Sequence, residues 1–418
     1  MLFSSKSQEY VKLIYNDFNK CMLNREINQK SNSIETTFFK QLFKLIKQSE
    51  KYVHSTSIKK NIFKHITNIE TIKQIKFPTI YNSNFFPEKI KKSIEATTST
   101  LIEYNTVLDG RVINFYFYTY ENSPLPTTTL DIYVNYMLMW IYILNLYGEN
   151  ECSKFLNIFI FLTDFKKKIP SNNFTILSPQ QTNTGFTIVC NKISEIVIYR
   201  KEEWFKVFLH ETLHNFGFDF STMHLSDFNN NISRLFPIQS KFNLFESYCE
   251  KWARIINAAF CSYSILNNKD NINEFLSYSD FLLQIERVFS LYQANKILNY
   301  MGIKYENLFK NDKISISARN NLYKENTNVF AYYIVTSILM NDYTKFLKWC
   351  NANNFIIMNF NKTPRTLNSF YEFIKHNYNS ETYIKSLKCI QKINNNNDII
   401  KNNDILKNSL RMTILELD

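Results

Sequence analysis

The chain is 418 residues long, with a formal net charge of +12, 45% hydrophobic and 16% aromatic content. That length and apolar content exclude an intrinsically disordered chain and leave room for two or three domains with real cores. The charge alone would suit a nucleic-acid or membrane-surface binder, but the lysines are scattered apart from Lys166-Lys167-Lys168, and no Arg-rich patch, RNA-binding aromatic signature or zinc-finger spacing goes with them.

In chain order, residues 1–95 read as an N-terminal helical region of unassigned role. Apolar residues recur at three and four spacing in 9–23 and 36–46, and less cleanly in 58–76. The opening MLFSSKSQEYVKLIY holds no apolar core of signal-peptide length. A looser stretch with Pro78 and Pro87 follows. From about 108 the period changes. Arg111–Thr119 (RVINFYFYT) is rich in aromatic and β-branched residues and predicts a strand. Leu130–Tyr147 is apolar nearly all round, yet it is short for a membrane span and is interrupted by Asp131, Asn135 and Asn145. A buried core helix is expected there, and no transmembrane span. Phe155–Leu162 predicts a second strand, which makes a strand-helix-strand unit, and Gly185–Cys190 and Glu195–Tyr199 predict two more.

Residues 210–214 read His-Glu-Thr-Leu-His. Two imidazoles four residues apart share one helix face, so both can hold one Zn²⁺ with Glu211 beside it as general base. The helix is expected to open around Glu202, with Glu202 and Glu203 at its positive end, and to stop at Gly217. A catalytic zinc needs a third protein ligand. Glu246 is the first candidate, on a strong helix from about 242, with Glu250 one turn further on to accept the free ring N–H of a ligand histidine. The alternative for Glu250 is an i,i+4 pair with Arg254. Asp219 is a second candidate ligand, because HETLHNFGFD approaches the pattern HExxHxxGxxH but has Phe220 at the ligand position and no Met-turn. His224 is a more remote one.

After 241 the chain reads as all-helical to about 392, and the low-complexity tail 393–408 reads as loop plus a short helix. Seven cysteines (Cys21, Cys152, Cys190, Cys249, Cys261, Cys350, Cys389) stand far apart without a CxxC. Free, mostly buried thiols and a reducing, cytoplasmic setting are expected.

HETLH followed by ESYCE resembles the gluzincin branch of the zincin metallopeptidases, with Glu250 where that branch commonly has Asp. TNTGFT (182–187), IYRKEEWFKVFLHETLHNFGFDFS (198–221) and LFESYCEKWARIIN (244–257) are similar to zincin-like metallopeptidases of large nucleocytoplasmic DNA viruses; the likeness spans about 110–265. The resemblance implies an α+β zincin-like fold. A twisted mixed sheet, a backing helix and the HExxH helix would form one lobe (96–222), and a mainly helical second lobe (223–418) would carry the third ligand. It implies Zn²⁺ on His210, His214 and Glu246, with Glu211 as general base against a protein or peptide substrate. Thr182, Asn183, Thr184 and Gly185 would form a substrate-pairing edge strand, with Gly185 allowing another chain close approach. An oxyanion donor would come from Tyr332, Tyr333, Arg365, Tyr371 or His376, with His376 preferred as the one histidine among them. The expected function is a zinc-dependent endopeptidase, located in host cytoplasm or virion if viral. The alternatives are a non-catalytic zincin-fold virion or interaction component and, third, a charge-driven nucleic-acid or membrane-surface binder.

Overall fold

The structure is a computed structural model that describes residues 1–22, 33–63, 76–120, 125–396 and 403–418. Helices α1 (Ser5–Phe18) and α2 (Ile34–Ser55) come first, each opened by a serine side chain that accepts a backbone N–H of the first turn. In α2, Phe38, Phe39, Leu42, Phe43, Ile46 and Val53 are buried at three and four spacing. Each contributes roughly 1.5–3 kcal/mol by leaving water. They join one apolar core that runs from Met1 to Leu417. Strand β1 (Lys59–Phe63) follows, where the weak pattern of 58–76 suggested helix; residues 64–75 lie outside the described ones.

Helix α3 (Glu88–Thr97) leads into β2 (Thr98–Leu108) and β3 (Arg111–Tyr120). These strands form a hairpin on Asp109-Gly110, both at positive φ (48° and 79°), as a two-residue turn requires. Helix α4 (Thr127–Asn145) crosses to β4 (Phe155–Thr163), parallel to β3. A short helix α5 (Pro179–Thr182) precedes β5 (Gly185–Thr187), and β6 (Ile193–Arg200) completes the sheet. The six strands lie in the order β1-β2-β3-β4-β6-β5, parallel among β3, β4 and β6 and antiparallel elsewhere, so the fold is mixed α+β with a mixed sheet. One face (Ile113, Phe115, Ile158, Ile160, Ile196, Ile198) belongs to the main core with α4. The other (Tyr116, Tyr118, Phe159, Phe161, Tyr199) packs under α3. Among the described residues no helix is long and apolar enough to cross a membrane, and α4 is a core helix as expected.

Helix α6 (Trp204–Asn215) follows β6 directly. Then come α7 (Ser226–Leu235), α8 (Phe245–Ile265), α9 (Ile272–Tyr300) and α10 (Lys313–Leu322). A π-helical turn (Phe330–Val335) runs into α11 (Thr336–Asn341), followed by α12 (Tyr343–Asn353), α13 (Pro364–Asn377), α14 (Glu381–Asn396) and α15 (Asp404–Asn408). The last segment, Ser409–Asp418, has no regular structure and is almost wholly buried, and it exchanges backbone hydrogen bonds with Leu2.

Two expectations are corrected here. Cys21 pairs with Cys389, and Cys152 with Cys190, leaving Cys249, Cys261 and Cys350 as buried thiols. The paired residues are 368 and 38 positions apart, and only the tertiary fold brings them together. Support for a cytoplasmic setting from unpaired cysteines is thereby removed. Glu202 and Glu203 stand at the start of α6 as expected, but their side chains cap none of its N–H groups. Glu203 pairs with buried Lys167 at 2.7 Å and accepts the N–H groups of Met412 and Thr413, while Glu202 accepts the N–H of Lys167. Both are buried, and they fasten the last segment to the start of the helix.

Candidate metal centre

Helix α6 is buried along its whole length. Phe205 packs edge-on against Phe260, and Thr212 Oγ1 accepts the indole N–H of Trp140 from α4. The helix ends as predicted at Gly217 (φ 74°), with Phe218 N–H bonded to Leu213 O and Gly217 N–H to His214 O. With this packing fixed, Lys206, His210 and His214 fall at i, i+4 and i+8 on the face turned to α8. There α8 presents Glu246 in its first turn and Glu250 one turn later.

His210 Nε2 and His214 Nε2 are 3.1 Å apart, and Glu246 Oε2 lies 3.1 Å and 3.3 Å from them. Three vertices of a regular tetrahedron with those edges lie about 2.0 Å from its centre, the length of zinc–nitrogen and zinc–carboxylate bonds. The charge of the surroundings fits as well. Glu211, Asp219, Glu246 and Glu250 gather at the two histidines, against the buried cations Lys206 and Arg254. With neutral imidazoles, four carboxylates against two cations leave two negative charges, which one divalent cation neutralises.

Each histidine has a carboxylate behind it. Glu250 Oε2 lies 3.3 Å from His210 Nδ1, and Lys206 Nζ (2.9 Å) and Arg254 Nε (2.8 Å) hold it in place. Glu250 therefore lies behind His210 at ion-pair distance without the expected hydrogen bond, and the alternative pairing with Arg254 is made. Asp219 Oδ2 bonds His214 Nδ1, and its Oδ1 accepts the backbone N–H (2.7 Å) and hydroxyl (2.5 Å) of Ser221. Asp219 thus stands behind His214, outside the triangle of His210, His214 and Glu246, and forms with His214 and Cys249 a second group able to hold a metal. The Cys249 thiol lies 3.6 Å from Asp219 Oδ2. Burial pulls the His214 pKa down, but Cys249, Glu246 and Asp219 outweigh it and hold the imidazole well above its usual value. Burial pushes Glu246 up, and the two histidines bring it below the ordinary carboxylate range.

Glu211 is buried, its carboxylate accepts no hydrogen bond from the described residues, and burial raises its pKa. It lines a cavity of about 20 Å³ with Thr182, Asn183, Thr184, Gly185 and Tyr332. Strand β5 is an edge of the sheet as predicted, although Thr182 ends the short helix α5 and pairing starts only at Gly185. The need for glycine at 185 has a different cause from the one expected. A Cβ there would lie 2.7 Å from Val197 O and 2.9 Å from Val207 Cγ1, so the close neighbours are β6 and α6 of this chain.

The structure overturns the choice of His376. Its side chain is 74% exposed on α13, with Nδ1 on the backbone oxygen of Glu372. Tyr333 bonds Leu410 O, Arg365 and Tyr371 share α13 with His376, and His224 is in an exposed loop. Tyr332 is the candidate that reaches the centre. Its hydroxyl donates to Glu246 Oε2 at 3.1 Å and its ring centroid is 6.0 Å from that of His210. The π-helical turn sets its direction, as such turns often do at functional sites. Lys206 and Asn328, whose Nδ2 is 3.5 Å from Glu246 Oε1, were not anticipated. Lys206 was legible as the residue four before His210; Asn328 carried no signal. Compared with known proteins, the chain matches no family model, no curated protein and no solved structure.

Proposed function

We propose that this chain is a zinc-dependent endopeptidase of the zincin type. The observation that carries the proposal is the triangle of His210 Nε2, His214 Nε2 and Glu246 Oε2 with edges of 3.1–3.3 Å, backed by Glu250 and Asp219. Zinc bound there would polarise the scissile carbonyl and bring the pKa of a water towards neutrality. Glu211 is the carboxylate at the cavity that accepts no hydrogen bond from the described residues, and it would take a proton from water and return it to the leaving amine. Tyr332 is the hydroxyl assigned to the carbonyl oxygen. The edge strand β5 beside Glu211 offers backbone groups to an extended peptide.

The cavity holds about one water. It leaves little room beside Glu211 for a peptide. This narrowness is the observation that favours the second reading, a non-catalytic zincin-fold component with zinc as a staple. Elemental analysis and a peptide-library digest on wild type and Glu211→Gln separate the two. One zinc per chain in both, with cleavage lost by a factor of about 10²–10⁴ in the variant, supports the endopeptidase. One zinc and no cleavage by wild type supports the staple, and no zinc removes both readings.

A further inference from the structure

A second group of metal-ligating side chains lies just beyond the C-terminal end of α6. Glu149 donates its N–H to Phe216 O at 3.3 Å, and a Cβ built at Gly217 would sit 3.3 Å from Cys152 Sγ. Cys152 and Cys190 form their disulfide here, with Cα atoms 4.6 Å apart. Glu149 Oε2 faces both sulfurs, 3.7 Å from Cys152 Sγ and 3.9 Å from Cys190 Sγ. We propose that this is one site with two states: a disulfide when oxidised and, when reduced, a site in which Cys152, Cys190 and Glu149 hold a soft divalent cation such as zinc.

The spacing supports this assignment. Tetrahedral zinc with bonds of about 2.3 Å to sulfur and 2.1 Å to oxygen sets sulfur and oxygen about 3.6 Å apart and the two sulfurs about 3.8 Å apart. The sulfur–oxygen distances are already near that value. Breaking the S–S bond lets the half-buried Cys190 side chain rotate to the sulfur–sulfur distance. Lys362 pairs with Oε1 of Glu149, leaving Oε2 for the metal, as partners of ligating carboxylates do. Arg111 holds the loop by donating to the backbone oxygens of Glu149 and Cys152. The partly exposed Glu149 gives access, and water fills the fourth position.

The chemistry balances with a dithiol as reductant. It gives two electrons and two protons to the S–S bond and becomes a disulfide itself. The two cysteine thiols then lose their protons as two metal–sulfur bonds form. In the test a water-soluble phosphine replaces the dithiol and leaves as its oxide, taking oxygen from water.

The full chain carrying Cys21→Ser and Cys389→Ser, so that Cys152–Cys190 is the one disulfide left to reduce, is titrated oxidised or phosphine-reduced with Cd²⁺, and the thiolate-to-cadmium charge-transfer absorbance is followed. The ligand triangle on α6 and α8 contains no sulfur, so this band does not depend on the peptidase reading, and a Glu246→Ala background removes that centre altogether. One equivalent of band-forming cadmium is expected in the reduced protein and none in the oxidised protein. Cys190→Ser removes the one-equivalent band, and Glu149→Gln weakens the affinity at least tenfold. No band in the reduced protein that keeps Cys152, Cys190 and Glu149 overturns the proposal. A band that survives both Cys152→Ser and Cys190→Ser also overturns it and points to Cys249. Unchanged affinity in Glu149→Gln, whose exposed position spares the fold, removes Glu149 from the site.

Discussion

Asp219→Asn tests the reasoning behind the centre most sharply, because the two side chains have the same shape. Asp219 accepts on both oxygens: Oδ2 takes the ring N–H of His214, and Oδ1 takes the N–H and hydroxyl of Ser221. An asparagine has one oxygen to offer. If it faces His214, the amide NH₂ meets the Ser221 N–H, which sits 2.7 Å from Oδ1 in the native arrangement. Two buried donors then oppose each other, at a cost of about 1–3 kcal/mol. If the amide turns over, its NH₂ faces Nδ1 and drives the ring proton to Nε2, the atom that faces His210 and Glu246. In either orientation the proposed zinc should bind less tightly, by about 10–100-fold, equivalent to roughly 1.4–2.7 kcal/mol. Competition against a chromophoric chelator measures this directly. Ser221→Ala keeps the carboxylate and should lose less. An Asp219→Asn affinity within threefold of wild type would refute the orienting role of Asp219.

Glu246→Ala should bring bound zinc from one per chain to none by elemental analysis, whereas Asp219→Ala keeps it at reduced affinity; retention in Glu246→Ala would make Asp219 the ligand. Gly185→Ala forces a Cβ to 2.7 Å from Val197 O, and denaturant unfolding should register a loss of about 1–3 kcal/mol; a change under 0.5 kcal/mol would mean that β5 has room to move. Burial pushes Glu325 up to about 8, against the lowering effect of the N–H of Phe330 and the hydroxyl of Tyr323. Its folded pKa is raised above the unfolded value near 4.5, so its contribution is complete below that pH and is lost as pH rises towards 8. Melting of Glu325→Gln beside wild type at pH 5 and pH 8 should therefore show a relative gain for the variant at pH 8, of order a few kcal/mol, and parallel curves would place the carboxyl in contact with water.

The sequence alone determined whatever depends on local periodicity. Histidines four apart on a helix share a face in any fold, and so do Glu246 and Glu250. The Gly217 stop, the core character of α4 and the strands β3, β4 and β6 were legible for the same reason. The hairpin of β2 and β3 went unread, although Asp109-Gly110 carries its turn signal. Tertiary structure decided how separate elements meet. The place of Asp219 was open until the fold set it behind His214 at Nδ1, while α8 brought Glu246 to the two Nε2 atoms. Tyr332 and His376 were indistinguishable by type and spacing; a π-helical turn aims one at Glu246, and the amphipathic face of α13 leaves the other in solvent. The disulfide partners, the buried course of Ser409–Asp418 and the narrow cavity at Glu211 depend on side chains tens to hundreds of residues apart. Those meetings are set by how the apolar faces close on one another, which no local spacing records.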